Sequence, residues 1–324
     1  MRELHAAISL LIGLALLLTG VTAESQPYPS RPVRMVMPFP PGGGTDVIGR
    51  IVAQGLAKAL GQPFVVDNRG GAGGTIGTDI VAKAPRDGYT ILASPTSLAV
   101  SALLYPKLPY DTLKDLDALM MIGQQPNVLV VHSAVPANSI SELLDLVKSR
   151  PTQLNYGSGG AGSSTYLAME LLKFMTKAEI IHVPYKGVGP ATTALLAGQV
   201  QLFFSTLGPA LPHIKSGRVR ALGVTSLKRS SYLPGVPTIS EAGVSGYEYA
   251  TWYGIWLPSG TPRAIANRLY AETEKVVLSA EVKDAFVAQG VDPIVMPSAE
   301  FDAFCRAELK KWAKIIRATG AKPE

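Results

Sequence analysis

Three glycine-rich loops carry most of the chemistry that this sequence can offer. The first, Pro38-Phe39-Pro40-Pro41-Gly42-Gly43-Gly44-Thr45-Asp46, follows an apolar run and opens an amphipathic segment. Glycines let the backbone approach a ligand closely. The first amides of a helix have no partner within it, and with the positive dipole end they favour an anion. Asp46 opposes an anion there unless it caps the helix or reaches the ligand through water. A capped helix start with no ligand is the competing reading. The second loop, Asn68-Arg69-Gly70-Gly71-Ala72-Gly73-Gly74-Thr75-Ile76-Gly77, suits either a tight turn with close helix–sheet packing or a ligand contact. The third, Tyr156-Gly157-Ser158-Gly159-Gly160-Ala161-Gly162-Ser163-Ser164, contains GxGxxG. The acidic residue that a dinucleotide ribose needs is missing, because the next strand runs into Pro184-Tyr185-Lys186-Gly187 and Glu179 precedes it. The hydroxyls of Ser158, Ser163 and Ser164, with free amides, equip this loop for a carboxylate. Ser94-Pro95-Thr96-Ser97 and Ser205-Thr206-Leu207-Gly208 add hydroxyls at strand ends, where open α/β sheets bind ligands.

Enzyme chemistry is poorly represented. There is no GxSxG elbow and no Walker A sequence. His132, His182 and His213 have no metal-ligand spacing and read as surface or strand-end residues. Asp67, Asp79 and Asp87 form no evident acid–base pair. The lone cysteine, Cys305, excludes an intrachain disulfide and a multi-cysteine metal site. No cofactor or metal is expected. The net charge of +6 over 324 residues contains no long run of like charge, and aromatics are 7%. Nucleic acid is therefore not an expected partner. The positive field either steers an anionic small molecule or only aids solubility.

These loops must be positioned by the elements around them. The length suggests about two domains, and the 47% hydrophobic content suffices for a sizeable core. Strands and helices alternate, which predicts α/β architecture. Strands are expected at Val33–Pro38, Phe64–Asp67, Tyr89–Ser94, Val128–His132, Gln153–Ser158, Ile180–Pro184, Val200–Ser205, Arg220–Thr225 and Trp252–Leu257. Helices are expected at Thr45–Leu60 (closed by Gly61), Gly74–Lys83, Ser139–Ser149 with a Ser139/Glu142 capping box, Gly162–Thr176 and Pro190–Ala197. A tail of three helices follows, Pro262–Leu278, Ala280–Gln289 and Ala299–Ala318. With no strands of its own, the tail should pack back on the first domain. Two α/β domains follow, the first discontinuous: 24–127 with 250–324, and 128–249. One of Phe203 and Phe204 should face the core. Met1–Ala23 has a positive start, an apolar run and small residues at Val21-Thr22-Ala23, the pattern of a secretory signal peptide cleaved near Ala23. The alternative is an uncleaved anchor. Export places the chain in the periplasm.

Pro38–Asp46, Asn68–Gly77 with Ala84–Thr90, Gly157–Leu167, Val183–Gly187 to Gly198-Gln199-Val200, Val236–Gly243 and Trp252–Pro262 occur in an order that closely resembles the Bug (TctC-type) periplasmic receptors of tripartite tricarboxylate transporters. The resemblance covers nearly the whole chain after Ala23. It implies a type II periplasmic-binding-protein fold, a Venus flytrap of two lobes with a ligand cleft between them. It implies a monomeric receptor, not an enzyme, that captures a small carboxylate and delivers it to membrane permease subunits. The site residues expected on this basis are Phe39, Gly43, Gly44, Thr45, Asp46, Ser94, Thr96, Ser97, Ser158, Gly159, Gly160, Gly162, Ser163, Ser164, Tyr166, Ser205 and Thr206. The family often has His at the place of Tyr166 and Asp at that of Ser205. Loss of the acid removes a partner for an amine and favours a plain mono- or dicarboxylate, aromatic acids included; the ligand class expected for the receptor is a di- or tricarboxylate or an aromatic carboxylate. A periplasmic sensor feeding a signalling system, or a secreted enzyme acting on a carboxylic substrate, are the alternative readings.

Overall fold

Apolar runs bounded by glycine and proline set the elements of the chain. The computed structural model describes residues 28–105 and 107–322; the expected signal segment lies outside these. All elements belong to the unit Arg31–Glu324. Strand β1 (Val33–Met37) leads into α1 (Gly44–Leu60), which buries Ile48, Val52 and Leu56 on one face. Helix α1 stops at Gly61, whose φ of 68° suits glycine. Then come β2 (Phe64–Asn68), a 3₁₀ turn (Ala72–Gly74), α2 (Thr75–Ala82), β3 (Thr90–Pro95) and α3 (Ser97–Leu104). The long β4 (Leu116–His132) precedes α4 (Ile140–Ser149). Ser139 Oγ caps α4 by accepting from the Glu142 amide (3.1 Å), and the Glu142 carboxylate reaches back to the Asn138 amide (2.8 Å).

The series continues with β5 (Asn155–Ser158), α5 (Ser164–Thr176), β6 (Ile181–Pro184), α6 (Val188–Leu196), β7 (Leu202–Thr206), α7 (Leu207–Lys215) and β8 (Val219–Val224). It closes with β9 (Ala250–Pro258), α8 (Arg263–Leu278), α9 (Ala280–Ala288), β10 (Asp292–Pro297) and α10 (Ser298–Thr319). Two sheets share β4. From Leu116 to Pro126 it runs antiparallel to β9, with β10 on its other side, giving the order β2-β1-β3-β9-β4-β10. From Asn127 it pairs with β7 and β8 instead, giving β8-β4-β7-β5-β6.

Four sequence expectations need correction. Strand β4 begins at Leu116, well before Val128, because the apolar run Leu119–Ile122 pairs on both edges. The stretches after Ser94 and Ser205 are largely helical, as α3 and α7. The tail does contain a strand, β10, and α10 does not pack on the first sheet alone. Its Phe301 and Cys305 join the apolar cluster of Val36, Leu92, Trp252 and Trp256, whereas Trp312 and Ile315 join that of Tyr156, Leu167, Phe204 and Tyr249. Both Phe203 and Phe204 are buried, on opposite faces of β7, because helices cover that sheet on both sides. Among the described residues no helix is long and apolar enough to cross a membrane.

Candidate ligand-binding site

Two helix starts, one from each sheet, open on the same cleft. Its walls are Phe39, Pro40, Gly43, Gly44 and Thr45 before and in α1, and Gly159, Ser163 and Ser164 before and in α5. Pro95 ends β3, Gly187 and Val188 open α6, Thr206 ends β7, and Tyr253 comes from β9. The enclosed volume is about 30 Å³, room for about one or two waters. Eight of the expected residues thus come together: Phe39, Gly43, Gly44, Thr45, Gly159, Ser163, Ser164 and Thr206. No charged side chain lines the cleft among the described residues. The first-turn amides of Gly44 and Thr45 in α1, and of Ser164 in α5, lack acceptors in their own helices and supply the local positive potential.

The other expected residues sit behind this wall. Asp46 is buried and committed: its Oδ2 accepts from the Gly42 amide (3.0 Å), and its Oδ1 from Arg50 Nε (2.9 Å) and Asn68 Nδ2 (3.0 Å). Asn68 Nδ2 also donates to the Phe39 carbonyl (3.0 Å). The carboxylate therefore ties the first glycine loop to the second, and Arg50 offsets its charge near the α1 start. Burial alone would raise the Asp46 pKa, but the bonds from Arg50, Gly42 and Asn68 outweigh it and hold the group below the ordinary carboxylate value. The second glycine loop is a packing device. A Cβ on Gly77 would stand 2.7 Å from the Arg69 carbonyl oxygen and 2.8 Å from Pro38 Cα.

In the third loop the Gly159 amide donates to Thr165 Oγ1 (2.9 Å) and the Gly160 amide to Ser158 Oγ (3.0 Å), so both are used internally. Ser163 Oγ caps α5 through the Tyr166 amide (3.3 Å). Gly160 and Gly162 have φ of 104° and 82° and form the tight turn. Ser94 is buried on the strand face opposite Pro95. Thr96 Oγ1 accepts from the Trp252 amide (3.2 Å), Ser97 is buried at the start of α3, and Ser205 Oγ donates to the Thr206 carbonyl (2.9 Å).

His182 is not the surface residue its strand-end position suggested. Its ring stacks on Tyr156 (4.8 Å, 24°) and tilts against Tyr166 (4.8 Å), and its Nε2 shares a 2.6 Å hydrogen bond with Ser158 Oγ. Burial, reinforced by Lys173, lowers its pKa from 6.5 to about 4, so the imidazole is neutral at pH 7. Below it, buried Glu170 accepts from the Tyr156 hydroxyl (2.9 Å) and Lys173 (2.7 Å). The sequence reading also missed five wall residues. Pro40 and Pro95 lay inside loops already singled out, and Gly187 ends the Val183–Gly187 motif with Val188 beside it. Tyr253, in an apolar strand, carries no local signal.

Residues 48–321 match the family model described as tripartite tricarboxylate transporter family receptor, TctC. The protein BugT of Bordetella pertussis is 40% identical over 324 residues, covering 99% of both chains. Two solved structures are similar in fold and sequence. Rpa4515 of R. palustris with adipate gives a TM-score of 0.88 at 36% identity, over 92% of this chain and 100% of the other. The periplasmic binding protein BugD gives 0.87 at 32% identity, again over 92% and 100%. The family consists of two-lobed periplasmic receptors, not enzymes. The family match spans most of the chain and both sheets, and the chain belongs to the TctC (Bug) family of periplasmic solute receptors.

Proposed function

We propose that this receptor captures a small di- or tricarboxylate, or an aromatic carboxylate, in the cleft and delivers it to the permease subunits of a tripartite tricarboxylate transporter. The observation that carries this reading is the meeting of two helix starts in one cleft without charged side chains. Adipate in Rpa4515, a protein of the same fold, supports the ligand class. A carboxylate loses hydration on entry, at a cost of several kcal/mol unless hydrogen bonds replace it. The amides of Gly44, Thr45 and Ser164 and the hydroxyls of Thr45, Ser163, Ser164 and Thr206 are the replacements, directly or through water.

Because α1 and α5 belong to different sheets, a ligand held by both favours the closed form over the open one. The cleft volume of about 30 Å³ is too small for a dicarboxylate, so entry requires the two walls to part. The change of neighbours in β4 between Pro126 and Asn127, and the start of β9 at Ala250, support lobes of 24–127 with 250–324, and 128–249. In this reading the protein works as a monomer, released to the periplasm by cleavage near Ala23. Thermal melts against aliphatic di- and tricarboxylates, aromatic acids and acidic amino acids test it. Ligand at 100 times Kd adds about 2.7 kcal/mol, a rise of several degrees. If no acid shifts the melt after co-purified ligand is removed, the carboxylate assignment fails.

A further inference from the structure

The geometry points to Tyr253 as the residue that reads the ligand, its hydroxyl donating to an oxygen of the bound carboxylate, with Gln125 as the residue that positions it. This rests on the carboxylate-receptor reading above and adds what kind of carboxylate is accepted. Tyr253 lies in β9 at the cleft floor, and Gln125 lies in β4 beside it. Gln125 Nε2 donates to the Tyr253 hydroxyl oxygen. That bond uses a lone pair of the phenol and directs its proton elsewhere. No described side chain or carbonyl takes that proton, and the open direction is the cleft.

Gly44 makes this contact with the ligand space possible. A Cβ there would stand 2.5 Å from the Tyr253 hydroxyl oxygen, 3.2 Å from Gln125 Nε2 and 3.5 Å from Thr206 Oγ1. The three polar groups thus converge on the amide end of α1. Thr206 and Gln125 are each 2% exposed. Thr206 Oγ1 and Gln125 Oε1 have no hydrogen-bond partner among the described residues. Such buried, unpaired atoms are expensive unless something else occupies their bonding positions. Burial also keeps the Tyr253 phenol protonated, since its pKa is raised far above the ordinary range despite the opposing bond from Gln125.

Tyr253, Thr206 and the Gly44 amide offer hydrogen bonds but no negative charge. A ligand carboxylate accepts there from Tyr253, Thr206 and the Gly44 amide, whereas Gln125 Oε1, an acceptor, is satisfied by a ligand hydroxyl or a bridging water. An ammonium group would lose its water and meet no counter-charge. Within the carboxylate class proposed above, the ligand is therefore unsubstituted or hydroxylated, and amino acids are refused.

The test uses calorimetric titration of the protein, freed of co-purified ligand, with succinate, malate and aspartate, which differ only in H, OH and NH₃⁺, and with adipate and 2-aminoadipate. The amino compounds should bind at least about thirtyfold more weakly than their partners. Tyr253→Phe should weaken the best dicarboxylate about tenfold or more, and because it leaves Gln125 Nε2 without its partner it should also lower the unliganded melting temperature by a few degrees. Gln125→Met should cost binding in the normal background and nothing further in Tyr253→Phe, since a positioning residue acts only through the group it positions. Affinity within a factor of about two in Tyr253→Phe, additive losses in the double variant, or tight binding of an amino compound would each overturn the inference. If the amino compounds bind as tightly as their partners, the receptor reading stands and this inference falls; if no carboxylate binds, both fall.

Discussion

Gly44→Ala isolates the geometry of the cleft floor with a single methyl group. The new Cβ would lie 2.5 Å from the Tyr253 hydroxyl oxygen, well inside van der Waals contact, and 3.2 Å from Gln125 Nε2. Tyr253 is buried and its ring cannot swing away, so the hydroxyl has to retreat by about 0.5–1 Å, enough to lengthen a hydrogen bond beyond its useful range. The bond lost is to a charged ligand group, worth about 1.5–3 kcal/mol, or about tenfold to a hundredfold in Kd. Displacing the buried ring should also lower the stability of the unliganded protein, by about 1–3 kcal/mol before any offset. Gly44 opens α1 outside the left-handed region, and alanine there lowers the entropy of the unfolded chain by about 0.4–1 kcal/mol, which opposes the strain. Gly43→Ala is the control, since its Cβ would meet only Val188 at 3.9 Å; affinity should stay within a factor of about two. Calorimetry with the best-binding carboxylate and melts without ligand read both quantities. Unchanged affinity in Gly44→Ala, or equal loss in Gly43→Ala, would refute the reasoning.

Three further outcomes follow from the buried polar groups. Asp46→Asn should destabilise the protein by about 1–3 kcal/mol in urea unfolding, because a carboxamide cannot accept from Gly42, Arg50 and Asn68 together. The lowered pKa values of Asp46 and Asp67 mean that their stabilisation is complete above the ordinary carboxylate value of 3.8 and is lost as pH falls through their folded values, so acid unfolding should begin later in Asp46→Asn relative to its own pH 7 stability. His182 also titrates below its ordinary value. The unfolded chain takes up the proton first, so stability should fall as pH drops from 6.5 to about 4 and level off below, and His182→Gln should flatten that window in melts at stepped pH. Lys173→Met leaves Glu170 buried with the Tyr156 hydroxyl as its remaining side-chain partner among the described residues, and should cost about 3 kcal/mol in the same assay.

The glycine loops were legible because their chemistry is local: glycine and serine after an apolar run announce a helix start that can face a ligand. The helices were legible for the same reason, as Gly61 ends α1 and Ser139 with Glu142 starts α4. What the sequence hid depends on register between distant strands. Tyr253 reads as one more apolar strand residue until β9 pairs with β4 and brings it to Gln125. Asp46 looked able to reach a ligand because one of its partners, Asn68, comes from β2, although Arg50 lies one turn along the same helix. The strand expected from Val128 begins far earlier, and β4 passes through Pro126, because this is where the strand changes neighbours and ladder bonds are being exchanged. His182 looked exposed until Tyr166, from α5, covered its ring.

The sharing of β4 and α10 between the two sheets has a consequence for how the protein reaches its compartment. Strands β3 and β4 meet only through β9, so the first sheet cannot close before residue 258 has left the ribosome. The second apolar cluster lacks Trp312 and Ile315 until the last helix arrives. Neither half can complete its core while the remainder is being made, and contacts so far apart in the chain form slowly. A receptor exported in the unfolded state passes the membrane as an extended thread. Because the second core is incomplete until α10 joins it, a chain exported unfolded would stay threadable until that helix has crossed.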